Sequence, residues 1–196
     1  MTMIRLLPAL AVAALLSACA TAGVEEQTRY YLLPKPAPAE RVVFAGDTVA
    51  LRELDLPLYA RAAEIAYIGP SGAVTLADED RWADEPARAM TRALAGALRE
   101  SLDTPVVVEP WGRAVEPVLR IDITVDRFIG TPGGEVDFSG DFQVVRLDDR
   151  KTVTAQGFDI AVPTGGPGFD ALTRAHSAAL ARLSDEIVVA IREDAI

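Results

Sequence analysis

The sequence predicts an α+β domain: a two-layer sandwich in which two long helices cover one face of a mostly antiparallel mixed sheet. Two kinds of periodicity carry that expectation. Leu119, Ile121, Ile123 and Val125 alternate with Arg120, Asp122, Thr124 and Asp126, and Val136, Phe138, Phe142 and Val144 alternate with Asp137, Ser139, Asp141 and Gln143. A period of two sends one set to the core and leaves the other in water. Met90, Leu94, Leu98 and Leu102 instead recur every four residues, and Phe169, Leu172, Leu180, Leu183, Ile187 and Ile191 fall on one helical stripe. Each stripe needs an apolar face to lie on, and a sheet with one wet face supplies it. Half of the chain is apolar and it has a single cysteine, so a core rather than an intramolecular disulfide holds the fold.

The elements follow in order. Met1 to Arg5 carries one positive charge, and Leu6 to Leu16 is apolar but shorter than the roughly 20 residues of a spanning helix. Small residues then lead into Leu16-Ser17-Ala18-Cys19. This is the pattern of a secretory signal peptide over residues 1–18. Residues 19–28 are small and polar and read as a tether of about 3.3–3.6 Å per residue at full stretch. Residues 29–196 read as one domain, with length used only as a prior.

Arg29-Tyr30-Tyr31-Leu32-Leu33 is aromatic and apolar, a first strand ended by Pro34. Thr48 to Leu54 is a second strand, and Leu56 to Arg61 a short helical turn opened by Pro57. Ile65 and Tyr67 share a face of a third strand, Val74 and Leu76 a face of a fourth, and Gly69-Pro70-Ser71-Gly72 turns between them. Asp84 is placed to cap a helix running to Leu102, with Pro86 in its first turn and Arg88, Arg92 and Arg99 facing out. Thr104-Pro105 stops that helix, and Val106-Val107-Val108 is expected as a strand covered on both faces. Two long strands follow, joined by a hairpin loop at Gly130–Gly134. After the turn at Asp148-Asp149-Arg150 comes a last strand, Thr152 to Val162, with a bulge expected at Gly157. The loop from Pro163 to Gly168 then opens the C-terminal helix.

Removing residues 1–18 takes away Arg5 and no acid, leaving 18 basic against 29 acidic residues, a net charge of −11. Such a chain lacks the clustered cations that nucleic acid and anionic lipid require. The search for catalytic chemistry is mostly negative. There is no Gly-x-Ser-x-Gly elbow and no phosphate-cradling loop, since Gly130-Thr131-Pro132-Gly133-Gly134 lacks a following Lys-Ser/Thr. His176, the only histidine, falls on the apolar stripe between Leu172 and Leu180 and reads as a packing residue. With no second histidine and no free thiol a zinc site is not expected. Asp78-Glu79-Asp80 and Asp148-Asp149 lack calcium-loop spacing and read as solvated turns. Metals and cofactors are therefore expected to be absent. Trp82 and Trp111 are the candidate interface residues, because tryptophan is enriched where proteins meet, though it is equally an ordinary core residue.

Leu16-Ser17-Ala18-Cys19 resembles the bacterial lipobox. That resemblance implies a Cys19 acylated with a diacylglyceryl group and an amide-linked palmitate-type chain, and cleavage just before it. Several acyl chains hold firmly where one binds reversibly. Ala20 stands where inner-membrane lipoproteins usually carry aspartate, which favours the outer membrane. Further segments extend the likeness: Tyr30-Tyr31-Leu32-Leu33-Pro34, Leu54-Asp55-Leu56-Pro57-Leu58-Tyr59 before Arg61, Asp80-Arg81-Trp82-Ala83-Asp84-Glu85-Pro86 opening a helix, Leu119 to Phe128, and Ala175-His176-Ser177-Ala178-Ala179-Leu180. In order and spacing they resemble the ABC-type transport auxiliary lipoproteins, the PqiC or YmbA family. One departure is Tyr59-Ala60, where the family often has Tyr-Leu.

The resemblance implies a non-enzymatic outer-membrane lipoprotein facing the periplasm. It would work with a periplasmic MCE-domain protein and an inner-membrane transporter component in lipid movement and envelope integrity. Cys19 is the only functional residue it carries over, and a homo-oligomer that meets its partner through strand faces, edges and loops is the expected form. The alternative reading is a stand-alone lipoprotein holding a lipid or other apolar ligand in its own pocket. An enzyme is the third, and it would require convergent ionisable groups in a cleft.

Overall fold

The computed structural model describes residues 27–44, 48–112 and 114–194, so the signal segment, Cys19 and most of the tether lie outside the described residues. The elements are β1 (Arg29–Tyr31), β2 (Val49–Leu51), a 3-10 turn (Leu58–Arg61), β3 (Glu64–Ile68), β4 (Val74–Trp82), α1 (Pro86–Leu102), β5 (Val106–Val108), β6 (Leu119–Gly130), β7 (Glu135–Arg146), β8 (Thr152–Pro163) and α2 (Phe169–Asp194).

Strand β6 is the trunk of an eight-stranded mixed sheet. On one side β7 pairs with it antiparallel from Leu119–Arg146 to Gly130–Val136, and β8 follows on β7. On the other side β6 meets two neighbours in succession. Strand β2 lies parallel to its start and carries β5, and Tyr67 of β3 pairs with Gly130 at its end. Between them Asp55 bridges to Thr124. Strand β3 carries β4 antiparallel, and β4 carries β1 parallel. The antiparallel pairings hold the long ladders and the parallel ones are short.

The alternation read in β6 and β7 is the one built. Ile121, Ile123, Val136, Phe138, Phe142 and Val144 are all buried. Against them lie the helices: Met90, Leu94, Leu98 and Leu102 of α1, and Leu172, Leu180, Leu183, Ile187 and Ile191 of α2, each nearly or wholly buried. Each such side chain contributes about 1.5–3 kcal/mol relative to exposure. Phe128, Phe138 and Phe158 form an aromatic column through β6, β7 and β8, with centroids 4.0 and 4.9 Å apart.

Several expectations are corrected. The cap of α1 is Glu85, whose carboxylate accepts from the N–H groups of Ala87 and Arg88, while Asp84 accepts from Glu85 N–H and from the Arg92 guanidinium and caps no helical N–H. Pro86 begins the helix and lacks an N–H, so the capping job passes to the residue beside it. Val106–Val108 is an edge strand and only Val106 is buried, because among the described residues nothing pairs on the far side of β5. Asp78-Glu79-Asp80 belongs to β4 rather than to a turn, and Asp80 is buried. Val74 and Leu76 do share a face, but it is the wet one, half exposed. Gly157 sits in regular register opposite Asp141. The register shifts fall instead between Val125 and Arg127 in β6 and between Val144 and Val145 in β7. The first and second strands are shorter than read, three residues each.

The bulge in β6 has a reason. Gly140 of β7 lies opposite Val125, and a Cβ there would sit 2.1 Å from the Thr124 carbonyl oxygen. Two backbones approach so closely that only glycine fits. The N–H of Phe128, just past the bulge, donates to the Tyr59 hydroxyl at 3.1 Å. The 3-10 turn thus serves to hold Tyr59 where the ladder is interrupted.

Candidate functional site

The site begins where the chain enters the fold. In the parallel β1–β4 pair Arg29 lies opposite Asp80. Its guanidinium donates twice to that carboxylate, Nε to Oδ1 and Nη2 to Oδ2, both at 2.7 Å. Asp80 is only 4% exposed. The Arg29 fork holds its carboxyl below the usual carboxylate range, with the Tyr31 hydroxyl helping. A planar fork on a carboxylate fixes register as well as charge. Beyond β1 the chain from Leu32 to Pro36 crosses α1, with Lys35 paired to Glu100 and the Pro34 carbonyl accepting from Ser177 Oγ at 2.8 Å.

Between this crossing segment and α1 runs an open groove of about 340 Å³. Tyr31, Leu32 and Trp82 form its sides, and Ala89, Ala93 and Gly96 of α1 its floor. The small floor residues at one-turn spacing leave the helix backbone close to the surface. Leu32 stands out on its rim, 76% exposed.

Trp82 is 8% exposed, with its ring against His176 at 5.6 Å, edge-on. His176 is 2% exposed, lies 4.8 Å from the Phe128 ring, and Nδ1 is 2.9 Å from the Leu172 carbonyl oxygen. With a carbonyl as its only acceptor, Nδ1 carries the proton and donates. Burial pushes the imidazole pKa down to about 4, against the smaller opposite pull of the Leu172 bond. This is a neutral packing histidine at the joint of α2, β4 and β6. Trp111 lies half-buried in the loop between β5 and β6, on a different arm of the sheet from Trp82, so the fold does not bring the two tryptophans together. Cys19 lies outside the described residues.

Among the described residues no three His, Cys, Asp or Glu side chains gather in a metal-holding arrangement, and no helix is long and apolar enough to cross a membrane. The acidic turn at Asp148-Asp149 is engaged internally: Asp149 pairs with Lys151 and Arg146, which hold its carboxyl down. On the wet face Asp122 is clasped by Arg120 and Arg52, and Asp137 by Arg127.

Solved structures share this fold over nearly their whole length. One crystal structure of an uncharacterized protein superposes with a TM-score of 0.68 at 19% identity, covering 84% of this chain and 99% of that one. Protein XCC0632 from Xanthomonas campestris, of the DUF330 family, gives 0.62 at 14% identity, covering 85% and 99%. No curated protein sequence matches the chain. What the fold defines is thus a class of small mixed-sheet domains backed by two helices. Within that class, the chain belongs to the ABC-type transport auxiliary lipoprotein component family, whose sequence model matches residues 31–188. Membership makes it a transport-associated lipoprotein, in a family that is not a class of enzymes.

Sequence reading missed Asp80 as the lock of β1 and Tyr59 as the donor's partner at the bulge. An arginine at the first strand residue, with an acid two residues before Trp82, was the available signal for the lock. Nothing in the sequence around Tyr59 marked the other.

Proposed function

We propose that the chain is the non-enzymatic outer-membrane subunit of an MCE-type intermembrane lipid transport system. In this reading Cys19 carries the diacylglyceryl and palmitate-type chains, and the domain faces the periplasm. A homo-oligomer of it docks a periplasmic MCE-domain protein, and through that protein an inner-membrane transporter component, supporting envelope integrity. The observation that carries the reading is the family match over residues 31–188, nearly all of the chain downstream of the lipobox. Two features support it. The signal-type segment ends on the chain's only cysteine. The first strand begins ten residues later, so the domain is kept within about 36 Å of its anchor.

The test is affinity purification of the full chain from detergent-solubilised envelopes, with mass spectrometry of its mature N-terminus. Acylated Cys19, co-purification of an MCE-domain protein and loss of membrane attachment in Cys19→Ser are expected. An unmodified Cys19 in the native protein, or a strict monomer with no such partner, overturns the reading. The groove beside Trp82 favours a second reading, a domain that itself holds an acyl chain. Its test is mass spectrometry of lipid extracted from the purified protein.

A further inference from the structure

The sheet has one long open edge, β8. Which of its backbone groups face outward follows from the ladder. Thr164 N–H donates to the Gly134 carbonyl, directly opposite it in register, and Thr131 N–H donates to the Glu135 carbonyl on the other side of β7. Alternation then points the N–H and C=O groups of Ala155, Gly157, Asp159 and Ala161 away from β7. One end of this edge is closed. Arg182 of α2 reaches round to donate to the Ala161 carbonyl at 2.7 Å, and Pro163 has no N–H to offer. Both are recognised ways of blunting an edge strand. At the other end Ala155, Gly157 and Asp159 are exposed, and among the described residues their outward backbone groups have no partner.

The side chains over that open end are as telling. Gly157 has none, and Asp141 of β7 leans over it: a Cβ at residue 157 would lie 3.4 Å from Asp141 Oδ1. Asp159 stands on the same face, one pleat further on. Arg52 and Arg120 are already engaged with Asp122, Arg127 with Asp137, and Arg182 with the Ala161 carbonyl, whereas Asp141 and Asp159 form no ion pair among the described residues. A depression of about 230 Å³ opens on the wet face inward of the edge, lined by Asp122 and Thr124 of β6, Asp141 and Gln143 of β7, and Ala155 and Gly157 of β8. A strand added to β8 would lie about 4.8 Å outside it. From that position a lysine or arginine on the wet face reaches Asp159 directly and Asp141 across the bare backbone of Gly157.

We infer that Ala155–Asp159 is a receptor edge for an extended, basic segment of a partner protein, which adds a strand to β8 and places a cation between Asp141 and Asp159. Main-chain bonds supply the docking and the two carboxylates supply the choice of segment. This deepens the transport-subunit reading and rests on its premise that the domain works through contacts.

The experiment uses the full chain in detergent micelles and a fluorescent seven-residue peptide alternating lysine with threonine and valine. Binding is followed by anisotropy and by hydrogen–deuterium exchange. Saturable binding is expected, with slowed exchange confined to segments covering Ala155–Asp159. Gly157→Pro removes an outward N–H and no ladder bond, and should weaken binding at least tenfold. Asp141→Asn with Asp159→Asn, which leaves the backbone untouched, should do the same, and a glutamate version of the peptide should not bind. Absence of binding at millimolar peptide, equal binding to Gly157→Pro, or protection of this edge by a second copy of the chain without peptide would each overturn the inference. Peptide binding with a failed envelope purification would reject the transport reading and leave the edge standing.

Discussion

Gly140→Ala is the substitution whose cost the structure defines best. The added Cβ would lie 2.1 Å from the Thr124 carbonyl oxygen and 3.0 Å from Val125 Cα. Ordinary contact begins near 3.4 Å, so β6 must retreat by more than an ångström. It would do so at the bulge, in the middle of the β6–β7 ladder. Overpacking of this kind costs about 1–3 kcal/mol. The obstructing atoms are backbone and cannot rotate aside, which puts the cost at the upper end, about 3 kcal/mol. For a domain of this size that lowers Tm by roughly 6–12 °C. Gly157→Ala is the control from the adjoining strand. Its Cβ would meet Asp141 Oδ1 at 3.4 Å and the Gly140 carbonyl at 3.7 Å, both acceptable. Losing glycine's freedom in the unfolded chain should then stabilise by about 0.4–1 kcal/mol. Urea unfolding followed by circular dichroism and by tryptophan fluorescence measures both, with coincident curves as the check on two-state behaviour. A Gly140→Ala protein within 0.5 kcal/mol of the parent (about the size of a neutral surface change) would refute the close-approach argument, as would an equal loss in Gly157→Ala.

Two further outcomes follow. The folded His176 refuses a proton down to pH about 4, whereas the unfolded imidazole takes one at 6.5, so its contribution is complete above pH 6.5 and is lost as pH falls toward 4. The span corresponds to about 3 kcal/mol; His176→Leu should flatten urea midpoints between pH 7 and 4 by about one proton while leaving partner binding intact, and an unchanged slope would contradict the burial argument. Arg29→Ala leaves the buried Asp80 carboxylate without its fork. It should speed amide exchange in β1 relative to β7, and adding Asp80→Asn should recover part of the protection, since a neutral amide needs no counter-charge.

The long, strongly periodic elements were legible because each of their residues votes for the same face. The four-residue stripe of α1, the six-residue stripe of α2 and the alternating pairs of β6 and β7 leave one arrangement that hides them all. The short strands were legible only in outline. Val49–Leu51 and Arg29–Tyr31 are strands because neighbours far along the chain pair with them, and no local pattern states where such pairing stops. Asp78-Glu79-Asp80 read as a turn because three acids in a row suit water. A buried Asp80 becomes tolerable only once Arg29, fifty-one residues earlier, is known to arrive beside it. The bulge went to Gly157 rather than Asp126 for a related reason. Glycine marks a possible close approach, but the chain that does the approaching is named only by the register. Cys19, the proposed anchor, stands in a motif the sequence displays, while the open edge of β8 was not legible. An edge is defined by the neighbour a strand lacks, and that is a property of the sheet order.

The lock at the start of β1 also decides how load enters the domain. Under the proposed anchoring through Cys19, every tug on the domain arrives at Arg29 before anywhere else. Strand β1 runs parallel to β4, so tension along its axis strains the short ladder and the Arg29–Asp80 fork together in shear. Tension across it peels the strand open from the same end, one bond at a time. A strand of three residues is a weak fastening by itself. The twin bonds to a carboxylate that cannot escape into solvent make its first residue the rivet. Behind it the Lys35–Glu100 pair and the Ser177 bond to Pro34 form a second line, spread over both helices. Under the proposed anchoring, pull on the domain would therefore be absorbed at the rim of the sheet, and the aromatic column at its centre would keep its shape.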